Sequence, residues 1–137
     1  MKYLCITSPG SGGKTTAACV TLAHFLSAEI RKQLNVKPKV LVLAPGDYAA
    51  RIVSRGLESL VEASGYASGD EDRGSYVMDT FTYGTLPERI ETEYKFVLAD
   101  DISQDFMDGF IRRNRIALKG ASVIHTVSSR RQVNVTA

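Results

Sequence analysis

Short apolar bursts alternate with longer amphipathic stretches along nearly the whole chain, and this alternation restricts the fold more than any other feature of the sequence. Residues 2–7 form a brief apolar run. Residues 15–34 place Ala18, Leu22, Leu26, Ile30 and Leu34 at four-residue steps, one apolar stripe on a helix. Residues 39–44 read as a second buried strand, stopped by Pro45-Gly46. Residues 47–63 read as a helix with Ile52, Leu57, Leu60 and Val61 inward, and 64–75 as a small, acidic, glycine-rich loop. Strands are expected at 76–81 and 95–99, with a short helix or turn at 83–91 broken by Pro87. A helix over 103–118 and a strand over 121–127 follow, and Val133-Asn134-Val135 opens another strand or a linker. Strand and helix in repeated succession predict the α/β class: a mostly parallel sheet of about five strands with helices on both faces. Ligands of such sheets bind where the strands end. The glycine loop, Pro45-Gly46, Asp100-Asp101 and Ser128-Ser129 all fall there.

A chain of 137 residues suits one domain, spanning 1–137. With 44% hydrophobic residues it is too apolar for obligate disorder. A net charge of +2 permits a nucleic-acid partner without arguing for one. No segment is long and apolar enough to cross a bilayer, and residues 1–6 lack a signal-peptide cleavage pattern. The chain begins on its first strand and stops as another begins, which predicts a domain cut from a longer protein. Cys5 and Cys19 fall in apolar runs and are expected to be reduced core thiols. His24 and His125 have no metal partner at useful spacing and read as structural; Arg112, Arg113, Arg115, Lys119, Arg130 and Arg131 read as solvated faces.

Residues 8–15, Ser8-Pro9-Gly10-Ser11-Gly12-Gly13-Lys14-Thr15, lie between the first strand and the first helix. This is the setting of a P-loop. Glycines let backbone N–H groups turn inward on phosphate oxygens, and the helix N-terminus adds partial positive charge. Lys14 is placed to reach the β- and γ-phosphates of ATP, and Thr15 to set its hydroxyl on Mg²⁺, with Thr16 beside them. Ser8 replaces the usual first glycine at a position that mainly closes the turn.

A carboxylate is needed across the cleft. Phe96-Val97-Leu98-Ala99-Asp100-Asp101 supplies an apolar strand tipped with two. Asp100 is the metal-side candidate, through water, and Asp101 the candidate to polarise attacking water. The competing reading is an aspartate cap on the next helix, a role Ser103 is equally able to fill.

At these residues the chain resembles the first RecA-like domain of a superfamily 2 helicase, and is most similar to the helicase of flavivirus, hepacivirus and pestivirus polyproteins. Residues 8–15 stand in for motif I. Val40-Leu41-Val42-Leu43-Ala44-Pro45 with Tyr48-Ala49-Ala50 resembles motif Ia, and Asp79-Thr80-Phe81-Thr82-Tyr83-Gly84 resembles the threonine-tyrosine-glycine segment. Asp100-Asp101-Ile102-Ser103 takes the place of the DExH box, and Thr126-Val127-Ser128 that of motif III. The resemblance implies a catalytic set of Lys14, Asp100 and Asp101, and contact with single-stranded nucleic acid, RNA by preference, through Ala44, Pro45, Thr80, Thr82 and Tyr83. It also implies coupling through Thr126 and Ser128, a second RecA-like domain in the parent chain, and work in the cytoplasm, at host replication sites for a viral protein.

Two positions depart from the family. Its catalytic glutamate is Asp101 here, one methylene shorter, and a misplacement of about 1 Å can cost about 100-fold in rate. Its final histidine is Ser103. These changes weigh against efficient turnover and leave binding untouched. Two rival readings therefore stand: a degenerate helicase domain that binds without turning over, and a small P-loop kinase or partition-type ATPase that binds no RNA.

Overall fold

The computed structural model describes residues 1–8, 13–33 and 35–128. Leu34, Ser129, Arg130, Arg131 and the expected segment at Val133-Asn134-Val135 lie outside those residues. The elements run β1 (Lys2–Ser8), α1 (Lys14–Arg31), β2 (Lys39–Ala44), α2 (Asp47–Ala63), β3 (Ser68–Gly69), β4 (Tyr76–Thr82), β5 (Phe96–Ala99), α3 (Gln104–Arg113) and β6 (Ser122–Ser128). The strands form one six-stranded sheet in the order β1-β6-β5-β2-β4-β3, and every pairing is parallel. The class is α/β as expected, with one strand more than the sequence indicates. The extra strand, β3, is a dipeptide at the sheet edge, too short to leave a periodic signal.

Two cores lie on the two faces of this sheet. The alternation of β2 shows the division: Val40 and Val42 join α1 and α2 through Leu22, Leu26, Val53 and Leu57. Leu41 and Leu43 point the other way, to Met107 and Phe110 of α3. Central strands buried on both faces need continuous apolar runs, which is what 40–44 and 96–99 supply.

Some inward assignments change. On α2 the buried positions are Ala50, Val53, Ser54, Leu57 and Val61, a stripe at helical spacing. Ile52 and Leu60 sit one residue off that stripe, about 100° around the helix, and are exposed. Cys19 is buried as expected, but Cys5 is exposed, on a strand that pairs on one side only among the described residues. Helix α3 stops at Arg113, five residues before its predicted end at 118. The buried Asn114 amide ends it: its nitrogen donates to the carbonyls of Phe110 (2.9 Å) and Glu88 (3.1 Å), and its oxygen accepts from Ile90 N–H (2.9 Å). Residues 83–91 form turns, not a helix. No helix among the described residues is long and apolar enough to cross a membrane.

Leu22 is fully buried, whereas Ile52 is half exposed. Leu22→Ala is expected to cost about 2–5 kcal/mol of stability and Ile52→Ala less than about 0.5 kcal/mol, read from denaturant midpoints.

Candidate functional site

The strand order brings the ends of β1, β6 and β5 side by side. Ser8 and Ser128 are register partners at the tips of β1 and β6, and Ala99 of β5 pairs with His125. Residues far apart in sequence therefore converge. The Thr15 hydroxyl, on the first turn of α1, donates to both carboxylate oxygens of Asp100, at 2.9 and 3.1 Å. The Thr126 hydroxyl, from β6, donates to the same carboxylate at 2.8 Å. Asp100 is only 6% exposed, so these donors do what water would otherwise do. Its own N–H extends the β5–β2 ladder to the Leu43 carbonyl at 2.8 Å, which fixes where the carboxylate points.

Asp101 turns the chain outward. Its φ is +56°, in the left-handed region that aspartate tolerates better than most residues. Its N–H donates to Thr126 Oγ1 at 2.8 Å, which anchors that conformation. Consecutive aspartates thus face opposite ways: Asp100 is held against Thr15 and Asp101 is exposed. The cap reading of these aspartates gives way, since Ser103 Oγ accepts from Phe106 N–H at 3.2 Å and caps α3. Ser103 therefore takes a structural role at the head of α3.

Gly13 precedes α1 with φ +83°, a conformation that suits glycine. Lys14 opens the helix and is buried; Thr16 beside it is exposed. Pro9, Gly10, Ser11 and Gly12 lie outside the described residues.

His125 was read from sequence as merely structural, and it is fully buried directly beneath this corner. Its Nε2 meets the Ile102 carbonyl, which fixes Nε2 as donor and leaves Nδ1 to accept from the Tyr3 hydroxyl. Gln104 Nε2 donates to the same hydroxyl at 3.3 Å. One histidine thereby ties β1, β6 and the 100–103 turn together. Burial holds its pKa below the usual histidine value, against the opposing effect of the Ile102 carbonyl.

The candidates for nucleic-acid contact divide. Ala44 and Thr82 are register partners at the ends of β2 and β4; Ala44 is buried, and Pro45 follows it in the open. Thr80 and Thr82 line a depression of about 660 Å³ shared with Arg51, Ser54, Arg55 and Thr85. The Ser54 and Thr80 hydroxyls are bonded at 3.0 Å. Sequence reading passed over Arg51 and Arg55, although their four-residue spacing on α2 sets both guanidinium groups on one face. Tyr83 turns instead toward the acidic corner: its hydroxyl accepts from Ser103 N–H at 3.2 Å and its ring packs edge-on to Phe106. Asp79 accepts from the Tyr94 hydroxyl at 2.6 Å, which joins this segment to the start of β5.

The donor set at the corner fits Mg²⁺. Thr15 and Asp100 are hard oxygen donors close together, and Mg²⁺ usually takes one or two such protein ligands and fills its shell with phosphate and water. No group of three or more metal-ligating His, Cys, Asp or Glu side chains occurs among the described residues. No protein-family model and no curated protein matches this chain.

Two outcomes follow. Thr126→Val removes a donor to Asp100 and the acceptor for Asp101 N–H, and is expected to cost about 1–3 kcal/mol in chemical denaturation. The depressed pKa of His125 means that the unfolded chain takes up its proton first as pH falls. Stability from neutral His125 is thus full above about pH 6.5 and declines below it, and His125→Phe should flatten that part of the stability–pH curve.

Proposed function

We propose that this chain is the ATP-binding domain of a superfamily 2-type helicase motor, which hydrolyses ATP with Mg²⁺ and couples this to movement on single-stranded RNA. The observation that carries the reading is the single carboxylate, Asp100, reached by the Thr15 hydroxyl and the Thr126 hydroxyl at once. A nucleotide-binding turn, an acidic strand tip and a third strand that senses both are the parts such a motor needs.

In this reading Lys14 and the N–H groups heading α1 hold the phosphates, aided by the helix dipole. Thr15 and Asp100 would hold Mg²⁺, which supplies charge neutralisation on the phosphoryl oxygens. Asp101 orients the attacking water and accepts its proton, from a position exposed to the cleft. Thr126 reports a change at Asp100 to β6, and Tyr83 reports a change at Ser103 to the segment bearing Thr80 and Thr82. Phosphates of the strand meet Thr80, Thr82, Arg51 and Arg55 without regard to base. A second RecA-like domain in the parent protein would close the site, and the motor would work in the cytoplasm.

A degenerate domain that binds without turning over is the second reading. The short Asp101 side chain and the commitment of Ser103 to capping α3 favour it. Asp101→Glu separates the two: a large gain in ATP turnover with unchanged ATP affinity supports degeneracy.

Calorimetric titration of the chain with Mg-ATP should give a Kd in the micromolar-to-millimolar range, weakened about tenfold or more by Lys14→Ala. Undiminished binding by that variant would remove the phosphate-holding role. Arg51→Ala and Arg55→Ala should each reduce the slope of log affinity for single-stranded RNA against log salt by about 1, equally for different sequences. RNA binding absent even at low salt would favour the kinase or partition-ATPase alternative.

A further inference from the structure

The sheet edge where the strands begin lies opposite the candidate site. Six of the seven lysines, Lys2, Lys32, Lys37, Lys39, Lys95 and Lys119, line two depressions along it; the seventh is Lys14. One depression, of about 400 Å³, lies between α1 and the first residues of β1, β5 and β6, with Leu4, Phe25, Phe96 and Ile124 among its apolar lining. The other, of about 810 Å³, continues past Lys95 and Glu29 to Val36 and Ile116. Only two carboxylate residues, Glu29 and Glu93, line either one, and Glu29 is taken by Lys32 at 2.9 Å. Lys39 reaches Glu71 at 3.5 Å and Lys37 donates to the Asp70 carbonyl. Lys2, Lys95 and Lys119 have no acidic partner among the described residues. Lys32 suits the end of α1 electrostatically, but the helix dipole gives no reason for lysines at the starts of β1, β2 and β5.

Large apolar side chains stand open among these charges. Ile116 is 88% exposed and Val36 77%, and Leu4 and Phe25 are about half exposed.

We propose that this edge docks an acidic, apolar-rich extended segment of a partner protein. The segment lies in the depression between α1 and the starts of β1, β6 and β5, sets apolar side chains on Leu4 and Phe25, and brings carboxylates to Lys2 and Lys95. Charge complementarity selects an acidic partner. The apolar lining selects a peptide over nucleic acid, whose phosphates would satisfy the lysines and leave Leu4 and Phe25 uncovered. The concave shape selects a peptide over a flat bilayer. A second copy of this chain would bring lysines against lysines.

The test is fluorescence anisotropy of the chain with labelled peptides of about ten residues built from leucine and glutamate, in alternating and blocked orders. Micromolar binding that weakens with salt is expected. Phe25→Asp and Lys95→Glu, both at exposed positions, should each weaken binding about tenfold or more and leave Mg-ATP affinity unchanged. Circular dichroism melts establish that both variants fold. Three results overturn the proposal: no peptide bound at about 1 mM; polyglutamate bound as tightly as the mixed peptides; or Lys95→Glu abolishing capture of an RNA oligonucleotide or phosphatidylserine vesicles while no peptide binds. Because Mg-ATP affinity is read separately, failure here is distinct from failure of the nucleotide reading.

Discussion

The Asp100 carboxylate is the constraint on which the candidate site depends. A nearly buried anion at a strand tip is costly unless hydrogen-bond donors surround it. Thr15 and Thr126 supply those donors from two other elements. These bonds tie the start of α1 to the tips of β5 and β6, above the core the three elements share. The same bonds set the direction of the chain beyond it, because Thr126 also accepts the Asp101 N–H. A change of charge at Asp100 would be felt in α1, in β6 and in the outward turn together.

Much of the fold was legible because it rests on local periodicity. The apolar runs at 40–44 and 96–99 and the four-residue stripe on α1 point to single answers, and the structure has them. The departures have tertiary causes. Nothing near residue 114 in the sequence indicates that Asn114 folds its amide inward and ends α3. Ile52 and Leu60 are apolar, yet the phase of α2 is set by Ala50, Val53, Leu57 and Val61 against the sheet. Cys5 looks like a core residue until the strand order puts β1 at the edge.

The candidate site divides in the same way. Thr15 and Asp100 belong to local patterns, and the pairing of the two patterns follows from the parallel topology. The His125 bridge joins Tyr3, 122 positions away, to Ile102, 23 positions away, and has no local signature. Arg51 and Arg55 were visible as a spaced pair on a helix. Their meaning arises only when β4 brings Thr80 and Thr82 beside them.

The pairing of β1 with β6 also governs the order in which the molecule can assemble. Among the described residues β1 finds its backbone partners only in Ala121–Ser128, so β1 stays unpaired until the last described strand exists. Closing so long a loop is entropically unfavourable, and contacts of this kind form late and slow folding. The segment β2 to β5, with α2, has nearer partners and is free to form first. The corner where Thr15, Asp100 and Thr126 meet is then the final part of the described fold to form, and a chain stalled before residue 122 would lack both Thr126 and the strand that pairs with β1.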